Sequence, residues 1–246
     1  MPDPSLPERA RSLIAPSESG YKLCSFLSQE DLRFVRQLIC ERVSVALRRH
    51  LSYAEILALS PELLTEVIRE KPKRMFDAKE INQIMSLRSL KDFFLQHSGY
   101  ELVKATHPAF GQIDDFEMYF RIVPPGSGGD KILGHVDWWY DDIYEIPKAE
   151  RPAYKVWVAI STEPGSNGLL VKKVSPDKYP YECINTANGR RPEMLDPPEL
   201  SFYDFPTIYS GQAIIFESAN VLHLGSPNNG KLHRISLEIS IKRNAV

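Results

Sequence analysis

Among the six histidines, His135 is set apart by its neighbours. Gly134-His135-Val136-Asp137 places an imidazole and a carboxylate two residues apart. On a strand, side chains at i and i+2 leave the same face, so this pair can fill two adjacent corners of an octahedral metal. A third corner needs a distant ligand. His223 offers one, just after an apolar run at residues 212–216 and a short Glu-Ser-Ala-Asn turn. Two imidazoles and one carboxylate leave three positions open to other ligands. A lone His-x-Asp recurs by chance, but Arg234 and Ser236 follow downstream, again two apart. A guanidinium beside a hydroxyl can grip the far end of a dicarboxylate, because its fork makes paired charge-assisted bonds that Lys cannot reproduce. A strand arginine paired to a surface acid would not explain the three features together.

Such residues need a scaffold. Ile235, Leu237, Ile239 and Ile241 occupy the other face of the Arg234 strand, so that face must be buried against something. The first half of the chain supplies candidates. Ser28 caps a helix carrying Leu32, Val35, Ile39, Val43 and Leu47, ending near Arg49. Ser60-Pro61 opens a second helix with Leu63, Leu64, Val67 and Ile68. Asp77 with Glu80 caps a third, broken near Ser86 and stopped at Gly99. After Gly99 the period shortens, and residues 116–123, 131–136, 154–160, 168–171, 212–216 and 234–241 read as strands. Helices do not alternate with these strands, which disfavours a parallel sheet and favours an antiparallel sandwich or barrel. Residues 1–20, with four prolines, read as a mobile arm, 21–109 as a mainly helical support, and 110–242 as the β core. Residues 175–210 lack a period and read as an insertion or lid. The expectation is one domain over 1–246.

The chain resembles the Fe(II)/2-oxoglutarate-dependent oxygenases, and within them the phytanoyl-CoA dioxygenase-like branch. The resemblance rests on Glu117-Met-Tyr-Phe-Arg-Ile-Val-Pro-Pro-Gly126, His135-Val-Asp137, Val156-Trp-Val-Ala-Ile160, Asn167-Gly-Leu-Leu-Val171, Gly211-Gln-Ala-Ile-Ile-Phe216, His223-Leu-Gly-Ser226 and Arg234-Ile-Ser236. It spans about residues 110–242. It implies a mainly β fold with N-terminal helices: a double-stranded β-helix, the jelly-roll or cupin-like architecture, with its major sheet backed by α-helices. By the same resemblance His135, Asp137 and His223 would bind iron, Arg234 and Ser236 would hold 2-oxoglutarate, and no catalytic residue is expected beyond the metal ligands. O₂ would be consumed, succinate and CO₂ released, and a C–H bond of a small molecule hydroxylated or otherwise oxidised. Because Asp137 is present, halogenation, which uses a ligand vacancy there, is disfavoured. Lys172-Lys-Val-Ser-Pro176 departs from the family's usual segment at the substrate border, so the resemblance carries no substrate identity.

Trp138, Trp139 and Tyr140 follow the carboxylate and are candidate substrate residues if the strand runs on towards the cavity mouth, as are Tyr119 and Arg121 at i and i+2 on the preceding strand. Packing is the rival role for the tryptophans. His50, His97, His107 and His233 read as structural.

The remaining composition narrows the class. Thirty Lys and Arg against 32 Asp and Glu give a net charge of −2, with no cationic excess for a nucleic-acid backbone. No apolar run spans a bilayer and the first residues lack a signal-peptide core, so a cytoplasmic protein without membrane partners is expected. Cys24, Cys40 and Cys183 fit neither a disulfide framework nor a paired metal motif. Two other classes remain open: a jelly-roll metal lyase or isomerase that does not use 2-oxoglutarate, against which Arg234 and Ser236 argue, and a non-catalytic binding sandwich. Oligomeric state is not encoded in these features.

Overall fold

The computed structural model describes residues 19–63, 67, 76–107, 111–116, 118–128, 134–186 and 189–244. All but the end of the expected N-terminal arm lies outside the described residues. So do residues 131–133 of an expected strand and most of the second expected helix.

The capping signals form as read. After β1 (Tyr21–Ser25), helix α1 (Gln29–Ala46) opens with the Ser28 hydroxyl accepting from Asp31 N at 3.1 Å. It buries Leu32, Val35, Leu38, Ile39 and Val43, the stripe that three- and four-residue spacing demands. A short α2 (Tyr53–Leu57), capped by reciprocal bonds between Ser52 and Glu55, was not foreseen. Residues 61–63 are helical behind Ser60. The third expected helix is two, α3 (Ala78–Met85) and α4 (Arg88–Gln96), with Ser86 at the break and the Asp77–Glu80 capping box at the start. Buried Asp31 accepts from the Ser89 backbone at 2.8 Å and from its hydroxyl, tying α1 to the start of α4.

The rest is antiparallel β. The strands are β2 (Tyr100–Leu102), β3 (Lys104–His107), β4 (Gly111–Phe116), β5 (Met118–Val123), β6 (Tyr154–Ser161), β7 (Leu169–Lys173), β8 (Tyr181–Thr186), β9 (Gly189–Met194), β10 (Gln212–Glu217), β11 (Val221–Gly225) and β12 (Arg234–Arg243). One sheet runs β1-β10-β6-β12, with β5 and β2 sharing the far edge of β12. The strands β1 and β2 fall within the stretch read as helical support and extend this sheet. A second layer is built from β7 and β11, lengthened by bridges from His135 to His223 and from Val171 to Asp204. The two layers make the jelly roll.

Alternation on β6 and β12 separates two environments. Val156, Val158, Ile160, Ile235, Leu237, Ile239 and Ile241 pack with the helical residues Val35, Ile39, Val43, Ile81, Ile84 and Leu90 in one core. The opposite faces turn inward between the sheets, where Trp157, Ala159, Ile214 and Phe216 meet Leu169, Val171 and Val221. The helices therefore back the major sheet, as expected.

Two expectations are corrected. The strand read at 131–136 does not carry on through Asp137: His135 makes a single bridge, and Asp137 opens a helix, α5 (Asp137–Ile143). The segment 175–210 is not patternless, since β8 and β9 form a full hairpin within it. Its Tyr, Cys, Arg and Pro residues hide the alternation that apolar residues would have displayed. The three cysteines are free, and no described helix is long and apolar enough to cross a membrane.

Candidate metal centre

Strand pairing brings the two distant histidines together. His135 N donates to His223 O at 3.1 Å and His223 N donates to His135 O at 3.0 Å. Directly opposed residues of an antiparallel pair send their side chains to one face, and the two ring centroids stand 4.4 Å apart. Gly134 lets this segment pack closely against Tyr203: a Cβ there would lie 2.3 Å from the Tyr203 hydroxyl, so that side chain would have to shift.

Asp137 reaches the imidazoles from the first turn of α5, not from the strand pleat. One donor atom from each of His135, Asp137 and His223 lies within 4.8 Å of the others. The Val221 carbonyl, 3.2 Å from His223 Nδ1, accepts its proton and thereby leaves Nε2 as the lone-pair donor facing Asp137. Asp137 is buried and its Oδ2 makes no hydrogen bond among the described residues. Two basic ring nitrogens and a buried carboxylate oxygen without a hydrogen bond form a donor set that fits a divalent metal.

A residue missed by the sequence reading supports Asp137. Lys155, on β6, is buried with Nζ 3.6 Å from Asp137 Oδ1 and donating to Ser240 Oγ at 2.8 Å. Burial alone would push the Asp137 carboxyl up, but the Lys155 ammonium, with the two imidazoles, more than offsets it and holds the group below the usual carboxylate range. The signal was present in Lys155-Val-Trp-Val-Ala, where alternation puts Lys155 on the inward face with Trp157 and Ala159.

The inner face of β12 carries a polar row. Arg234 is fully buried, its Nη1 donating to Gly168 O at 2.5 Å and Ser226 O at 3.1 Å, with the guanidinium 6.0 Å from the centre of the Trp157 ring. Ser236 Oγ is buried without a hydrogen bond among the described residues. Glu238 follows, ion-paired through Oε1 to Arg121 Nε at 2.8 Å, and Ser240 ends the row at Lys155. On β5, Tyr119 and Arg121 face inward beside this row, opposite Glu238 and Ser236, and Tyr119 lies under the Lys155 ammonium at 5.5 Å.

The three aromatic residues after Asp137 part company. Successive residues of a helix turn by about 100°, so they cannot line one wall as a strand would allow. Trp138 Nε1 donates to Pro152 O at 2.9 Å beneath the Arg151 guanidinium. Trp139 is buried and stacked on Tyr181 at 4.8 Å, packed with Val136, Met194 and Tyr203. Tyr140 alone of the three sets its ring against His135, at 5.1 Å. Neighbouring Asp142 is ion-paired outward to Arg151 at 2.6 Å. His233 is structural, its Nε2 donating to Leu59 O at 2.8 Å.

No family model matches the sequence, and no curated protein matches it. Solved structures do. The chain is similar to the apo non-heme monooxygenase ThoJ, at 15% identity over 92% of this chain and 74% of that one, with a TM-score of 0.55. It is similar to EctD from S. alaskensis, solved with 2-oxoglutarate and 5-hydroxyectoine, at 14% identity over 99% and 78% of the two chains, with a TM-score of 0.54. It is also similar to EvdO2 from Micromonospora carbonacea var. aurantiaca, complexed with 2-oxoglutarate, at 14% identity over 98% and 94%, with a TM-score of 0.53. Together with the two antiparallel layers and the helices behind the larger one, these likenesses show that the chain has the fold of the Fe(II)/2-oxoglutarate oxygenases.

Proposed function

We propose that the protein is an Fe(II)/2-oxoglutarate-dependent oxygenase of the phytanoyl-CoA dioxygenase-like branch, acting on a C–H bond of a small molecule. The observation that carries this reading is the convergence of one donor atom each from His135, Asp137 and His223 within 4.8 Å, with Asp137 Oδ2 buried and making no hydrogen bond among the described residues. The structural neighbours support it, since they include a non-heme monooxygenase and two proteins solved in complex with 2-oxoglutarate.

In this reading His135, Asp137 and His223 hold Fe(II), and Arg234 with the Ser236 hydroxyl holds the distal carboxylate of 2-oxoglutarate. Bound iron, 2-oxoglutarate and O₂ supply the oxidising power for hydroxylation, with release of succinate and CO₂. The chain's own task is positioning. The carbonyls of Gly168 and Ser226 fix one arm of the Arg234 guanidinium, and the Val221 carbonyl fixes the His223 ring. Lys155 keeps Asp137 ionised, so that no proton must leave before it binds a cation. The apolar walls around Trp157 and Phe216 exclude water from the sheet interior.

The test is anaerobic titration with Fe(II) and 2-oxoglutarate, read as a weak metal-to-ligand charge-transfer band in the visible. The band should be lost in His223→Ala. In Arg234→Ala it should require about ten- to a hundredfold more 2-oxoglutarate, because a charge-assisted pair contributes roughly 1.5–3 kcal/mol, and Ser236→Ala should need less of an increase. Metal binding without any 2-oxoglutarate response would favour the lyase or isomerase class.

A further inference from the structure

Arg234 takes its orientation from main-chain carbonyls. Its Nη1 donates to Gly168 O at 2.5 Å and to Ser226 O at 3.1 Å, and these carbonyls belong to two loops, one entering β7 and the other leaving β11. The loops are cross-linked beside the guanidinium. Gly168 N donates to Ser226 Oγ at 2.8 Å, and Ser226 N donates to Gly168 O at 3.1 Å. Further out, Asn229 N donates to Ser166 O at 3.0 Å, and Asn167 Nδ2 donates to Asn228 Oδ1 at 2.8 Å.

Asn228 ties this joint to the rest of the sheet. It is fully buried. Its Nδ2 donates to Val123 O and to Leu232 O, both at 2.9 Å, while its Oδ1 accepts from Gly230 N at 3.1 Å as well as from Asn167. A primary amide has two hydrogens to donate and two lone pairs to accept with, so all four are used. Val123 stands opposite Arg234 in the β5–β12 register, and Leu232 lies two residues before it. One side chain thus joins the end of β5, the approach to β12 and the loop entering β7. Aspartate has the same shape but at most one hydrogen to donate, so it would set buried oxygen against the carbonyls of Val123 and Leu232.

We propose that Asn228 is a positioning residue for Arg234: by fixing the loops whose carbonyls hold the guanidinium, it sets the preference of this site for a 2-oxo acid that has a distal carboxylate over one that lacks it. Carbonyl dipoles orient a guanidinium without neutralising it. The planar fork gains its advantage only when its plane and depth match the incoming carboxylate, and a small misplacement of a binding group is costly. Asn228 touches neither the proposed metal ligands nor the proposed ligand site, so its effect must pass through Gly168, Ser226 and Arg234.

This inference rests on the proposed role of Arg234, and two readouts keep the two apart. The first needs no ligand. In metal-free protein labelled with nitrogen-15 arginine, the Arg234 Nη signals are identified by their loss in Arg234→Lys. They should be resolved and slow to exchange with water in the wild type, and should exchange at least about tenfold faster in Asn228→Asp. The second is calorimetric titration of Zn(II)-loaded protein with 2-oxoglutarate and with 2-oxobutanoate, which has the same 2-oxo acid head and no distal carboxylate. Asn228→Asp should weaken 2-oxoglutarate about tenfold, the loss expected for one charge-assisted contact, and leave 2-oxobutanoate and Zn(II) binding as in the wild type. In the Arg234→Ala background, Asn228→Asp should weaken 2-oxoglutarate no further. Equal weakening of both acids, or unchanged Nη exchange with unchanged 2-oxoglutarate binding, overturns the proposal. Should Asn228→Asp fail to fold, Ser226→Ala removes the acceptor of Gly168 N, keeps the Ser226 carbonyl, and is held to the same expectations and the same failures. If the wild type binds neither acid while Asn228→Asp still frees the Nη signals, the 2-oxoglutarate role of Arg234 fails and Asn228 stands as the residue that orients it. If the wild type prefers 2-oxoglutarate and the variant prefers it equally, the positioning role fails alone.

Discussion

His135, Asp137, His223, Arg234 and Ser236 were legible in the sequence because each is a residue type whose chemistry is specific and whose spacing is short. Lys155 and Glu238 were not, although both are buried beside them. A charged residue on a strand reads as solvent-facing until the whole strand is known to be covered on both sides, and only the structure shows that every residue of β6 is buried. The pairing of Lys155 with Asp137 makes a residue-scale prediction. In metal-free protein, Lys155→Met leaves a buried carboxylate without its cation, and breaking a buried pair costs about 3–5 kcal/mol. The 3.6 Å separation places this pair at the lower end. Denaturant unfolding of the metal-free variant should show that loss, and the double variant Lys155→Met, Asp137→Asn should recover most of it. Equal instability of the single and double variants would mean that Lys155 acts through Ser240 and not through Asp137.

At the scale of elements, the capping motifs were readable because each is local: Ser28 and Asp77 declare their helices within four residues. The start of α5 was not. Val136-Asp137-Trp138-Trp139 has the β-branched and aromatic content of a strand, and the turn into helix depends on contacts outside it, including Trp138 N donating to Ser218 O at 3.3 Å. The consequence is measurable. Trp139, stacked on Tyr181 and buried, should behave as core, so Trp139→Ala should cost about 3–5 kcal/mol of stability, whereas Tyr140→Phe, which keeps the ring against His135, should leave the melting temperature nearly unchanged. A second element-scale prediction concerns His233, which joins the chain after α2 to the head of β12 by donating to Leu59 O. Burial holds its imidazole below the ordinary value, opposed only in part by that hydrogen bond, and burial lowers His97 as well. As pH falls through about 6.5 the unfolded chain takes up protons before the folded one. Stability from these groups is therefore complete above that pH and declines below it, until the folded imidazoles also protonate. His233→Gln retains a donor for Leu59 O but cannot titrate, so the fall in melting temperature between pH 7 and 5 should be shallower. An unchanged slope would remove His233 from the account.

On the scale of the whole molecule, the proposed metal joins parts that are far apart in sequence. His135 belongs to a bridge at the edge of the smaller sheet, Asp137 to α5, and His223 to β11, while Lys155 links that cluster to the major sheet through Ser240. The unfolded chain cannot present these ligands together, so a metal bound only to the native state stabilises it by mass action. At a free metal concentration about 100 times the dissociation constant the gain is roughly 2.7 kcal/mol. For a chain of this size each kcal/mol moves the melting temperature by about 2–4 °C, so a redox-inert ion such as Zn(II) should raise it by roughly 5–10 °C. His223→Ala removes a ligand whose ring packs against Phe216 at 4.6 Å, so some loss of intrinsic stability is expected. The informative quantity is thus the metal-dependent increment and not the melting temperature itself. That increment should vanish in His223→Ala and in Asp137→Ala, and persist in Trp139→Ala, which weakens the core without touching the ligands. A shift of the same size in the ligand variants would place the bound metal elsewhere on the chain and leave the His135, Asp137 and His223 cluster as a hydrogen-bonded joint between the two sheets.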